Sequence, residues 1–178
     1  MPFAYYNRLS SRDRAIYRRS DSVTSVALPE AEGLQPRIEE LRRALARDDR
    51  RAVAAAAGAL ALGLARGLGV PPVAIDVLAV RPSAAWGELH GLYTRDDGRP
   101  PRVQLWMRTA RHRRAVAFRT FLRTLLHEVG HHIDYELLGL PDSFHTEGFF
   151  KRESSLFRQL VPEAATRPQD SEPLPGLK

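Results

Sequence analysis

Three of the chain's six histidines lie within one short segment, TLLHEVGHHIDY, at residues 124–135. Apolar side chains recur near helical spacing before and within it, at Val116, Leu122, Leu125, Leu126, Val129 and Ile133. This spacing predicts one long helix from about His112 to Leu138, ended by Gly139 and Pro141. Gly130 costs this helix about 1 kcal/mol relative to Ala, and a residue this small would let another segment pass close by. The fold of this chain must therefore bury the apolar face of this helix and place its histidines against neighbouring residues.

His127 and His131 are four residues apart, which puts both imidazoles on one helix face about one turn from each other. Two histidines at this spacing can bind a single zinc ion. Glu128, next to the first of them, suits a carboxylate that is not a ligand but accepts a proton from the attacking water and passes it to a leaving amine. His132 points away from the pair, so we expect it to pack or to lie on the surface. The chain has no cysteine, so histidine and carboxylate side chains must hold any metal.

A third ligand is required, because a catalytic zinc usually takes three protein ligands and keeps a fourth position for water. The pattern HExxHxxGxxH is excluded, since Asp134 and Leu137 stand where it needs glycine and histidine. A ligand from beyond the turn at residues 139–142 is left. His145, fourteen residues after His131, is our first candidate. Two carboxylates are the alternatives, the second with less support: Glu153 and Glu147.

Three strand-like segments precede the histidine helix, at residues 73–80 (VAIDVLAV), 88–94 (ELHGLYT) and 102–108 (RVQLWMR). The turn at residues 95–98 and the two prolines after it join the last two segments as a hairpin. We therefore predict a small three-stranded sheet that is at least partly antiparallel, and an α+β fold.

Helices are predicted on both sides of these strands. Before them, the patterns indicate a short helix around residues 12–19, an amphipathic helix from Pro36, and a third helix that Asp48 or Asp49 caps and Gly69 ends. After the histidine helix, residues 146–160 form a last helix with a broad apolar face. We divide the chain into an N-terminal arm or cover (residues 1–35), one domain (36–161) and a tail (162–178) that has little to bury and is expected to be disordered.

The run T-LL-HEVGH-HI resembles the active-site helix of the zincin (HExxH) metallopeptidases. The segment HTEGFFKR is similar to the one that follows HExxH in SprT-like members, where the third histidine precedes an aromatic residue by four, as His145 precedes Phe149; Thr146 stands where those proteins have glycine. The resemblance implies a minimal zincin fold, a Zn²⁺ cofactor held by His127, His131 and His145, and peptide-bond hydrolysis by a zinc-bound water that Glu128 activates. It also implies a polypeptide substrate bound extended along an edge strand. With Glu153 as third ligand, the site would instead resemble that of the gluzincins.

Other residues near the motif suggest supporting roles. Asp134 and Tyr135 are candidates to orient a ligand or to stabilise the oxyanion. The net charge is +6, and arginines crowd the region before and within the first turns of the helix: Arg111, Arg113, Arg114, Arg119 and Arg123. Such a cluster can bind phosphates, but we favour a solvated face, because no aromatic residues interleave to stack bases.

Two other functions stay open: a catalytically silent zinc-binding regulatory module and a DNA-associated SprT-like protease. The N-terminus lacks a signal peptide's apolar core, and the apolar run at residues 52–68 is Ala/Gly-rich and closely flanked by arginine. We therefore expect a cytoplasmic protein with no membrane partner.

Overall fold

A computed structural model of the chain describes residues 3–84, 87–96 and 98–162, and these form an α+β fold. Five α-helices and five strands follow one another as α1 (Ser11–Asp21), α2 (Gln35–Ala46), α3 (Arg50–Leu68), β1 (Ala74–Val80), β2 (Ser83–Ala84), β3 (Gly87–Glu88), β4 (Gly91–Thr94), β5 (Arg102–Arg108), α4 (Phe118–Glu136) and α5 (Glu147–Leu160). Short 3₁₀ helices cover Ala4–Arg8 and Ala31–Leu34. The tail predicted to be disordered lies, apart from Pro162, outside the described residues.

The main sheet is mixed and has the order β1-β5-β4. β1 runs parallel to the central strand β5, and β4 pairs with β5 antiparallel, which confirms the predicted hairpin. The segment predicted as one strand at residues 88–94 is divided: Glu88 belongs to a separate two-stranded ribbon of β2 and β3, and only Gly91–Thr94 joins the main sheet. β4 is therefore a short edge strand.

The histidine helix begins later than predicted, at Phe118 instead of about His112. Residues 109–116 instead turn back along β5: Ala115 forms a bridge with Arg108, and the Val116 N–H donates to the Met107 carbonyl. Four consecutive cationic or imidazole side chains at residues 111–114 also disfavour a helix N-terminus, where the helix dipole is positive.

α2, α3 and α4 pack together with the sheet around one apolar core. The predicted face of α2 is buried, with Ile38, Leu41 and Leu45 almost inaccessible. α3 is long and apolar enough to cross a membrane by length and composition alone, with mean hydropathy 1.3. Here one of its faces is buried against α2 and β1, which is the packing of a core helix.

The segment predicted as an arm is in contact with α5. The Leu28 N–H donates to Gln159 Oε1 (2.8 Å), and Gln159 Nε2 donates to the Val26 carbonyl (2.8 Å). Val26 and Leu28 belong to the apolar core. The connection between α1 and α2 is thus anchored along the last helix.

Candidate metal centre

Three histidine side chains converge between α4 and the start of α5. The Nε2 atoms of His127 and His145 are 3.0 Å apart, and those of His145 and His131 are 3.2 Å apart. One ligand atom from each ring lies within 4.8 Å of the others. The structure therefore brings together the three histidines predicted as metal ligands.

Phe149 packs against all three imidazoles. Its ring centroid lies 5.1 Å from that of His127, 4.9 Å from that of His131 and 5.3 Å from that of His145. Gly130 makes this possible, because a Cβ at that position would lie 2.9 Å from Phe149 Cζ. The space that Gly130 leaves is thus used for a close approach, and the approaching residue belongs to α5.

Contacts at the far side of two rings define which nitrogen carries the proton. His127 Nδ1 lies 3.3 Å from Glu153 Oε2, and a carboxylate accepts hydrogen bonds. His131 Nδ1 lies 2.8 Å from Ser143 Oγ, whose single proton is donated to Asp134 Oδ2 (2.8 Å). Both Nδ1 atoms are therefore donors, and both rings direct an Nε2 lone pair toward the centre of the cluster.

The Nε2 lone pairs of His127 and His131 need a partner, which is either a proton donor or a cation. His145 Nε2 carries at most one proton and can satisfy at most one of the two facing nitrogens. Around a tetrahedral zinc with Zn–N bonds of about 2.05 Å, ligand nitrogens are about 3.3 Å apart, close to the 3.0 and 3.2 Å observed. The donor set fits a divalent metal ion of the zinc type.

Burial keeps two of these histidines neutral. Burial, aided by the neighbouring histidines, lowers the pKa of His131 to about 3, and burial with the charge of His127 lowers the pKa of His145 to about 4. Both rings are thus neutral at neutral pH, and a neutral imidazole is the form that binds metal.

Metal-free protein is expected to lose stability as pH falls from about 6.5 toward about 4. The pKa values of His131 and His145 are lower in the folded than in the unfolded chain, so the unfolded state binds more protons over this range. Glu128 has the opposite effect on stability, because its pKa is higher in the folded chain. The two histidines outweigh this one carboxyl group. Urea unfolding with a chelator present should give a free energy of unfolding at least about 1 kcal/mol lower near pH 5 than near pH 7.5.

The double variant, His131→Gln with His145→Gln, should abolish or reverse this difference, because Glu128 then acts without the two histidines. The control, His112→Gln, should keep the difference because His112 is exposed. Equal stability of the wild type at both pH values would contradict the assignment.

Glu128 is buried beside the histidines and against β4. Burial raises the pKa of its carboxyl to about 7, although the charge of His127 and a hydrogen bond from the Tyr93 backbone lower it. Gly91 leaves room for this side chain, because a Cβ there would lie 2.5 Å from Glu128 Oε1 and 2.7 Å from its Cγ. The edge strand thus holds the carboxylate in position.

Gly91→Ala is expected to displace Glu128 without disturbing the histidines. The added methyl group overlaps the middle of the glutamate side chain as well as its end, so the carboxylate must leave its contact with β4. We expect the peptide hydrolysis that the sequence predicts to fall about 10- to 100-fold and zinc affinity to change less than about threefold. Steady-state kinetics measure hydrolysis, and competition with a chelator measures zinc affinity.

Gly58→Ala on α3 is the control, because a Cβ there meets nothing within 4 Å. It should leave hydrolysis unchanged. Full activity of Gly91→Ala would show that the position of Glu128 does not depend on this glycine.

The remaining predicted residues lie around the cluster. Glu153, weighed as a ligand, contacts the outer nitrogen of His127 and pairs with Arg123 (3.4 Å). Asp134 accepts a hydrogen bond from the Ser143 hydroxyl, which in turn contacts His131 Nδ1. The Tyr135 hydroxyl donates to Asp142 (3.4 Å). Glu147, the other carboxylate considered, pairs with Lys151 on the surface.

His132 is buried, in agreement with the packing role expected for it. Its Nε2 lies 2.8 Å from the Pro71 carbonyl, so that nitrogen donates and its Nδ1 accepts from the Tyr93 hydroxyl (3.2 Å). The Tyr93 ring in turn stacks on His131, with centroids 6.1 Å apart. Tyr93 therefore contacts a candidate ligand with its ring and Glu128 with its backbone.

Sequence reasoning did not identify Ser143, Tyr93 or Gly91 as part of the site. A glycine within a strand indicates a close approach, so Gly91 carried a usable signal. Ser143 and Tyr93 carried none, because their partners lie on other elements. Two residues of the arginine cluster for which we favoured a solvated face, Arg119 and Arg123, lie over the ring of Phe157.

Comparisons with known protein families, curated proteins and solved structures gave no match.

Proposed function

We propose that this chain is a zinc-dependent metallopeptidase of the zincin type, with a minimal zincin fold. The observation that carries the proposal is the convergence of three imidazole nitrogens beside a buried glutamate whose pKa is near neutrality. The small sheet with an edge strand next to the histidine helix supports the same proposal.

His127, His131 and His145 would hold the ion, and Glu153 and Ser143 keep two of these rings in the ligating tautomer. When bound, zinc supplies a Lewis acid that polarises the peptide carbonyl and lowers the pKa of water. The chain's own contribution is to keep the His131 and His145 rings neutral and to hold all three rings in a fixed orientation before the ion arrives.

Glu128 is the residue that moves the proton. As a carboxylate it accepts a proton from the attacking water, and as an acid it donates that proton to the leaving amine. The pKa near 7 permits both steps around neutral pH, and a cation at the histidines shifts the group toward its carboxylate form. The contact with β4 holds this side chain between the histidines and the edge strand.

The polypeptide substrate would lie extended along β4. Among the described residues β4 pairs with β5 alone, and Leu92 on it is 41% exposed. An added strand gains main-chain hydrogen bonds whatever its sequence, and its alternate side chains decide specificity.

Metal analysis together with a peptidase assay tests the proposal. The purified protein should contain about one equivalent of zinc, cleave an unstructured protein such as casein, and lose this activity to a chelator and regain it with zinc. Zinc without cleavage would identify a catalytically silent zinc-binding module. Cleavage that requires added double-stranded DNA and fails at high salt would identify a DNA-associated protease.

A further inference from the structure

The N-terminal segment contacts the loop that carries His145. The Tyr5 hydroxyl donates to the His145 carbonyl at 2.7 Å, across 140 residues of sequence. Burial raises the pKa of Tyr5 to about 12, so this hydroxyl keeps its proton. The Tyr5 ring packs edge-on against Tyr17 of α1 (5.9 Å), which is itself fully buried. α1 thereby fixes the position of the Tyr5 hydroxyl.

His145 lies outside regular secondary structure, between the ends of α4 and α5. His127 and His131 are held by the hydrogen bonds of one helix, but His145 depends on its tertiary contacts for its position. The Tyr5 hydroxyl is one of these contacts, and the aromatic packing of Phe149 on the imidazole is another.

A second route leads from the N-terminal segment to His131 through Arg152 of α5, which is almost fully buried. Its guanidinium donates to the Ser20 carbonyl (2.6 Å) and hydroxyl (3.0 Å), to the Val23 carbonyl, and to Asp134 Oδ1 (2.6 Å). The other oxygen of Asp134 accepts from Ser143, which contacts the His131 ring.

The same segment also meets the first turn of α5. The Gly148 N–H donates to Asp21 Oδ1 (2.8 Å), and a Cβ at Gly148 would collide with the Asp21 backbone. His127 differs from the other two histidines. Its Nδ1 atom contacts Glu153 of α5, and this contact does not involve the N-terminal segment.

We propose that residues 3–23, here called the N-terminal brace, position two of the three metal ligands, with Tyr5 as the positioning residue for His145. The proposal rests on the proposed metal site. Weakening the brace therefore lowers metal affinity and activity together.

Full-length Tyr5→Phe tests this, because it removes one hydroxyl and keeps the ring. Tyr6→Phe is the matched control: Tyr6 also packs on Tyr17 (4.9 Å), but its hydroxyl accepts from the exposed Arg18 and contacts no metal-site residue. Three quantities are measured for each: zinc affinity by chelator competition, the visible spectrum of the cobalt-substituted protein, and the melting temperature of the metal-free protein.

We expect Tyr5→Phe to bind zinc about tenfold more weakly, the lower end of the range for partners that orient ligands. Its cobalt spectrum should change, and its metal-free melting temperature should match that of Tyr6→Phe. Unchanged zinc affinity in Tyr5→Phe, or an equal loss in both variants, would overturn the role of the brace while leaving the metal site in place. A wild-type protein that takes up neither zinc nor cobalt would overturn the metal site itself, and the inference with it.

Discussion

Glu128→Gln is expected to lower kcat/KM for peptide hydrolysis by about 10³-fold while changing zinc affinity by less than about threefold. Glutamine has nearly the same volume and can still accept a hydrogen bond from the Tyr93 backbone, so the side chain keeps its place against β4. Its amide cannot take a proton from water near neutral pH. The measurements are steady-state cleavage of a fluorogenic peptide and zinc binding by chelator competition.

Glu40→Gln, at an exposed carboxylate of α2 paired with Arg37, is the control and should leave both quantities unchanged. Proteolysis that persists in Glu128→Gln would show that another group is the base. Loss of zinc together with activity would assign Glu128 to metal retention.

His145→Ala is expected to weaken zinc binding by more than about 100-fold and to remove hydrolysis, because losing a ligand costs more than losing a residue that only orients one. Glu153→Gln should weaken zinc binding by about tenfold at most, since the amide oxygen can still accept the His127 Nδ1 proton. His127→Ala should lose both metal and activity. Chelator competition distinguishes the variants, because the loss of a ligand weakens binding by more than the loss of a residue that orients one.

The reverse result would assign the third ligand differently. If Glu153→Gln released the metal and His145→Ala kept it, the ion would be held by two histidines and a carboxylate, the gluzincin-like alternative. Half-buried Glu39, on α2 and paired with Arg42, offers a Glu→Gln control for the charge change alone.

Sequence reasoning succeeded where neighbouring residues decide the structure. Asp49 caps α3 and Gly69 ends it in a left-handed conformation, as predicted. α5 spans Glu147–Leu160, close to the predicted residues 146–160, and Thr146 caps it by accepting from the Phe149 N–H. The two histidines one turn apart also follow from helix geometry alone. Each of these depends on residues at most a few positions apart.

Features that depend on distant partners could not be predicted. α4 starts later than predicted because residues 109–116 bond back to β5. The segment at 88–94 is divided because its first residue, Glu88, pairs with Ser83 of β2. Glu153 was weighed as a ligand on residue type and reach. Its actual contact, with the outer nitrogen of His127, depends on how α5 packs on α4.

The contact between Tyr5 and His145 joins the two ends of the described chain. Closing a loop of this length costs several kcal/mol in chain entropy. Only the interactions of the completed fold offset this cost. A growing or half-folded chain would therefore present two imidazoles at most and would exchange its ion quickly. Slow metal release would then serve as an assay for conformational maturity, marking molecules in which the N-terminal brace has docked on the loop that carries His145.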